Sequence, residues 1–107
     1  MSFKLYNPID DSIAGTFKRG DTLDLEAQYT IYVEPFTTCR IPHRIKVNVK
    51  GSVWLVRLPG IFMSHCLFVD CGPLPQGISV VTTDVFCFSE ERTRIEKGFA
   101  ISRLECL

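Results

Sequence analysis

The side chains in this sequence best suited to chemistry are its thiols and imidazoles: Cys39, Cys66, Cys71, Cys87 and Cys106, with His43 and His65. A zinc centre would recruit Cys39 and His43, then His65, Cys66 and Cys71. Structural zinc sites use paired ligands two to four residues apart in two knuckles, and neither spacing here builds that pattern. A cysteine nucleophile needs a thiolate stabilised by a neighbouring cation, imidazole or helix N-terminus, and no local segment supplies one. An odd number of cysteines without framework spacing reads instead as reduced thiols, several buried as small apolar groups. A second feature is the row Arg44, Lys46 and Lys50. On a strand such a row is more often a solvated face than a cationic binding face.

The charges support that choice. Lys+Arg and Asp+Glu both number 12, so formal net charge is zero. Non-specific nucleic-acid binding draws on a surplus of Lys and Arg, and no such partner is expected. No apolar run approaches the ~20 residues that span a bilayer. The expectation is one intracellular domain over residues 1–107, with no secretory leader, membrane or metal.

The elements that would position any site are strands. Tyr29, Ile31 and Val33 alternate with polar neighbours, as do Ile45, Val47 and Val49, and period-two patterning means half-buried strands. Further candidates are 4–6, 23–27, 37–41, 52–58, 65–70, 78–83, 85–88, 94–96 and 99–105. Turn signals such as Asn7-Pro8, Glu34-Pro35, Pro59-Gly60 and Lys97-Gly98 separate them. Short strands at roughly 8–12-residue spacing predict an all-β single-domain sandwich or barrel. Helical periodicity is absent, and 89–92 reads as a polar loop.

The order of these strands and their joints resembles the trimeric dUTPase fold. Asp24-Leu25-Glu26-Ala27 is similar to that family's early Asp-Leu-x-Ala strand. Ile41-Pro42 before Ile45-Lys46-Val47 is similar to its hydrophobic-proline strand pair. The run from Thr93 to Cys106, with Gly98, is similar to its last strands. The resemblance spans about residues 21–107 and implies a jelly-roll, β-clip-like sandwich. Lys4-Leu5-Tyr6-Asn7-Pro8-Ile9-Asp10 is also similar to the opening of short adenoviral early proteins of this type.

The departures from the family lie at its site motifs. Its phosphate-gripping Pro-Arg-Ser-Gly is replaced by Arg57-Leu58-Pro59-Gly60. The stretch matching its third motif, Gly72 to Gly77, lacks both the water-activating Asp and the sugar-stacking Tyr. Asp70 lies just upstream as a shifted candidate, and the later motifs would fall beyond Leu107. These groups act as a unit, so the expectation is a protein that is not an enzyme and holds no cofactor.

Three functions follow. The first is a viral interaction module engaging host or viral proteins, in host cytoplasm or nucleus, with dimers or trimers. Its candidate contacts are Ile61, Phe62 and Met63, the stiff turn Pro73-Leu74-Pro75, and Leu107 with its free carboxylate. The second is a nucleotide-binding protein or dUTPase-related enzyme, with Asp24, Arg57 and Asp70 as its nucleotide-binding residues and magnesium as its cofactor. The third is a structural β-sandwich subunit of a viral assembly.

Overall fold

The computed structural model describes residues 2–6, 10 and 12–107. Its elements in chain order are β1 (Ser2–Tyr6), β2 (Ile13–Lys18), β3 (Thr22–Glu26), β4 (Ile31–Val33), β5 (Thr38–Val49), β6 (Val53–Arg57), α1 (Ile61–His65), β7 (Leu67–Val69), β8 (Gly72–Pro73), β9 (Gly77–Cys87), β10 (Thr93–Ile95) and β11 (Ala100–Cys106). The strands form a five-stranded sheet in the order β2-β1-β5-β9-β7, a four-stranded sheet β3-β11-β6-β8 and a ribbon β10-β4. All the pairings are antiparallel. Leu25, Leu55 and Leu104 from the smaller sheet join Ile41, Val47 and Val85 from the larger in one apolar cluster. This is the all-β class that alternation predicts.

The elements differ from expectation in four places. β2 is a strand that the pattern concealed, because Phe17 is its large buried residue while Ile13 faces out. The candidates 37–41 and 45–49 are one strand, β5, and 78–83 and 85–88 are one strand, β9. A helical turn forms at Ile61–His65, where no helix is expected, while 89–92 is a bend in keeping with a polar loop. Gly60 permits it by adopting φ 96° at the helix N-cap, where its carbonyl accepts the Ser64 amide at 2.8 Å. The segment 4–10 lies partly outside the described residues.

β5 carries the irregularity on which the sandwich turns. Pro42 pairs with Thr82 and Lys46 with Val80, so His43, Arg44 and Ile45 together oppose Val81. A bulge with two extra residues keeps side-chain parity, whereas one extra residue would send every later side chain to the opposite face. Ile41, Val47 and Val49 therefore all remain buried. Arg44 makes the bend in the left-handed region at φ 56°, a conformation that costs a non-glycine residue of order 1 kcal/mol.

His43, two residues after Ile41, faces the same way into the core, where it is 1% exposed. Its Nδ1 lies 2.8 Å from the Glu26 carbonyl and its Nε2 2.7 Å from Thr83 Oγ1. A carbonyl only accepts, so the proton sits on Nδ1 and Nε2 accepts from Thr83. Thr83 in turn takes the Ser102 hydroxyl proton at 2.7 Å. Ser102 faces inward because a bulge in β11 between Ala100 and Ser102 buries it beside Ile101. The chain Ser102–Thr83–His43–Glu26 thus joins both sheets, and no buried side-chain polar atom among the described residues lacks a partner.

Burial holds His43 below its ordinary pKa, opposed in part by the Glu26 carbonyl. The unfolded chain then binds the extra proton first, so stability is complete above about pH 6.5 and declines as pH falls below it. Urea unfolding at pH 7.5 and 5.5 is expected to show that loss, and His43→Ala to abolish it. The same substitution opens a cavity and takes one partner each from Thr83, which keeps Ser102, and from the Glu26 carbonyl, and is expected to cost about 2–4 kcal/mol.

Candidate functional site

One face of the five-stranded sheet packs on the core and the other meets solvent. On β9 the inward set is Val81, Thr83, Val85 and Cys87, each at most 1% exposed. The alternating outward set is Ile78, Val80, Thr82, Asp84 and Phe86. Of these, Ile78 is 69% and Val80 53% exposed. The register sets the outward residues in rows: Thr38–Phe86–Phe68 at one end, then Arg40–Asp84, Pro42–Thr82, Lys46–Val80 and Asn48–Ile78.

Asp70 extends the charged row onto the strand edge. Its amide donates to the Asp84 carbonyl at 2.9 Å, continuing the β7–β9 pairing. Two carboxylates side by side on neighbouring strands oppose folding. Arg40 relieves this by gripping Asp84 with Nε at 3.0 Å and Nη2 at 3.3 Å. Asp70 has no ion-pair partner among the described residues.

The two aspartates divide a groove into two clefts. One, of about 290 Å³, is lined by Leu55, Asp70, Cys71, Leu74, Thr82 and Asp84 among others. The other, of about 310 Å³, is lined by Thr38, Phe68, Asp70, Asp84, Val85 and Phe86. Carboxylates and hydroxyls on one side and phenylalanines on the other suit a ligand with both polar and apolar parts.

The residues singled out from sequence fall in different places. Asp70 lines both clefts. Asp24 lines neither; it accepts from Arg103 Nε at 2.8 Å on the four-stranded sheet. Arg57 is turned away from a phosphate-binding role: its Nε donates to the Val69 carbonyl at 3.1 Å and its guanidinium lies 4.3 Å from the Phe68 ring centroid. Ile61 is 3% exposed and fills the core, which removes it as a contact residue. The side chains of Phe62 and Met63 lie outside the described ones. Pro73 and Pro75 are exposed, whereas Leu74 is half-buried and its amide donates to the Val53 carbonyl at 2.8 Å. Leu107 projects outward although its amide is held by the Ser52 carbonyl at 2.9 Å.

The thiols are free, and no three His, Cys, Asp or Glu residues are placed to hold a metal among the described residues. No described helix is long and apolar enough to cross a membrane. Sequence reading missed Asp84, Thr82, Phe68 and Phe86. The available signal was that 78–87 places apolar residues on both faces of a strand.

No protein-family model and no curated protein matches the sequence. Solved structures do match its fold. The dUTPase of Staphylococcus bacteriophage 80alpha, a variant bound to dUpNHpp, aligns with TM-score 0.72 at 15% identity, covering 96% of this chain and 87% of that one. The dUTPase of phage phi11 of S. aureus aligns with TM-score 0.70 at 11% identity, again covering 96% and 87%. A phi11 variant described for its structural Mg(II) ion aligns with TM-score 0.68 at 12% identity, covering 78% and 74%. The chain has the dUTPase fold.

That likeness corrects the expectation that the chain is not an enzyme. The structures it matches are dUTPases, which are enzymes. The altered motifs around Arg57 and Gly72 therefore do not decide the matter.

Cys71 is exposed on the groove wall while Cys87 and Cys106 are buried. Burial, with Asp21 adding to it, raises the Cys106 thiol above its ordinary value. A thiol reagent followed by mass spectrometry is expected to modify Cys71 in the native protein and to reach Cys87 and Cys106 only on unfolding.

Proposed function

We propose that this chain is a virus-derived, single-domain protein of the dUTPase fold that works by binding other proteins, host factors among them, in the cytoplasm or nucleus. The observation that carries this reading is β9, whose solvent side bears Ile78, Val80 and Phe86 beside Phe68. A strand meant for water on one side alternates apolar with polar residues. This one puts apolar pairs at both ends of its outward side, Ile78 with Val80 and Phe86 with Phe68, with Thr82 and Asp84 between them, and paired exposed apolar residues mark an interaction site more often than scattered single residues do. Lys46, Arg40 and Asp84 among the apolar residues supply the polar component expected of a non-obligate interface. The phage 80alpha dUTPases are described as controlling transfer of virulence genes by a proto-oncogenic G protein-like mechanism. This supports a regulatory use of such a scaffold.

Photo-crosslinking compares the two faces. A crosslinking residue at Val80, in the sheet's outward face, is expected to give discrete protein adducts in cells. The same residue at Asp24, on the other sheet, is expected to give none. Equal labelling from both positions, or none from Val80, contradicts the reading.

The polar cleft favours a second reading, nucleotide binding. Magnesium is commonly held by one or two carboxylates together with substrate phosphates. Asp70 and Asp84 match that donor set but could not hold the ion alone. Calorimetric titration with dUpNHpp and magnesium tests it. Micromolar affinity, about −8 kcal/mol, lost in Asp70→Asn, would support it, and no heat at high protein concentration would dismiss it.

A further inference from the structure

We infer that the end of the sheet displaying Phe36, Phe86 and Phe68 is the anchor of the protein-binding surface, and that it takes a basic segment presenting one apolar side chain. This rests on the protein-binding reading above and specifies its partner.

Phe36 is the telling residue. It occupies the third position of the turn Glu34-Pro35-Phe36-Thr37, closed by the Thr37 amide on the Glu34 carbonyl at 3.3 Å. Proline at the second position and φ 55° at the third describe a type II turn, whose third position ordinarily takes glycine or asparagine. A bulky side chain is strained there. Burial does not compensate, because Phe36 is 59% exposed. Strained residues persist where the surroundings over-determine them, and they cluster at functional sites. Here the turn is stapled to the end of β9: the Phe36 amide donates to the Cys87 carbonyl at 2.8 Å, and the Cys87 amide to the Thr37 carbonyl at 3.0 Å. Phe86 and Phe68 lie side by side in the terminal row next to it.

The charge around these rings is acidic. Glu34 flanks the turn, Asp70 and Asp84 line the adjoining cleft, and the bend after β9 adds the exposed Glu90 and Glu91. Three cations lie nearby. Arg40 holds Asp84, Arg57 lies over Phe68, and Arg92 lies 4.6 Å from the Tyr32 ring centroid. Glu34, Asp70, Glu90 and Glu91 have no ion pair among the described residues. Five carboxylates (Glu34, Asp70, Asp84, Glu90 and Glu91) against these three guanidinium groups leave the surface net negative, so its complement is Lys or Arg flanking an apolar side chain. The Phe36 and Phe86 rings add attraction for the same cations, while the Phe68 face is taken by Arg57.

Fluorescence anisotropy on the full chain tests this with a short peptide alternating leucine and arginine, against the same peptide with glutamate for arginine. The arginine peptide is expected to bind at least about tenfold tighter, and more weakly as salt rises. Phe36→Gly suits the turn, so it is expected to keep or raise Tm while weakening binding about tenfold. Asp70→Asn is expected to weaken binding and flatten its salt dependence. Equal binding of both peptides, sensitive to Phe36→Gly, would overturn the basic partner while leaving the protein-binding face. Failure of both peptides would overturn the anchor, as would self-association of the chain abolished by Phe36→Gly, since the occupant would then be a second copy.

Discussion

The sandwich depends on one imidazole. His43 is the junction at which a two-residue excess in β5, a bulge in β11 and the Glu26 carbonyl at the end of β3 meet. An imidazole offers a donor and an acceptor on opposite sides of a flat ring, so it bridges the Glu26 carbonyl and the Thr83 hydroxyl. Among apolar neighbours each of those groups would otherwise be costly. The arrangement therefore constrains geometry more than it adds net energy. It specifies which stretch of β5 bulges opposite Val81 and how the two sheets are aligned.

That alignment also sets the outer face. Because the β5 bulge preserves parity, the outward residues on either side of it, Arg40 and Pro42 before and Lys46 and Asn48 after, share one surface with β9. The same register brings Asp84 between Arg40 and Asp70, and Phe86 beside Phe68. A polar junction in the core and an apolar surface outside are thus two consequences of one pairing. The usual distribution is inverted in both places.

Class and strand order were legible in the sequence because alternation of Val, Ile and Leu survives whatever the partner strand is. The breaks inside β5 and β9 were overdrawn: Pro42 lies beside a bulge where ladder bonds are already interrupted, and Asp84 is accommodated by Arg40. The five-residue helix at Ile61–His65 is too short to show periodicity. Of the candidate site residues, Asp70 lies where its chemistry is usable, while Asp24 and Arg57 are occupied by Arg103 and by Val69 with Phe68. His43 was weighed only as a metal ligand, because its real partners lie 17 and 40 residues away. The dUTPase likeness holds for the fold, and the function has to be argued from the surface this fold displays.

The most direct test of the account is methyl NMR of the free protein with a soluble paramagnetic agent. The account predicts strong broadening of Ile78 and Val80, with Ile41 and Val81 protected beside them. Protection of Ile78 and Val80 equal to that of Val81 would contradict it, since the outer face of the sheet would then not be open to a partner.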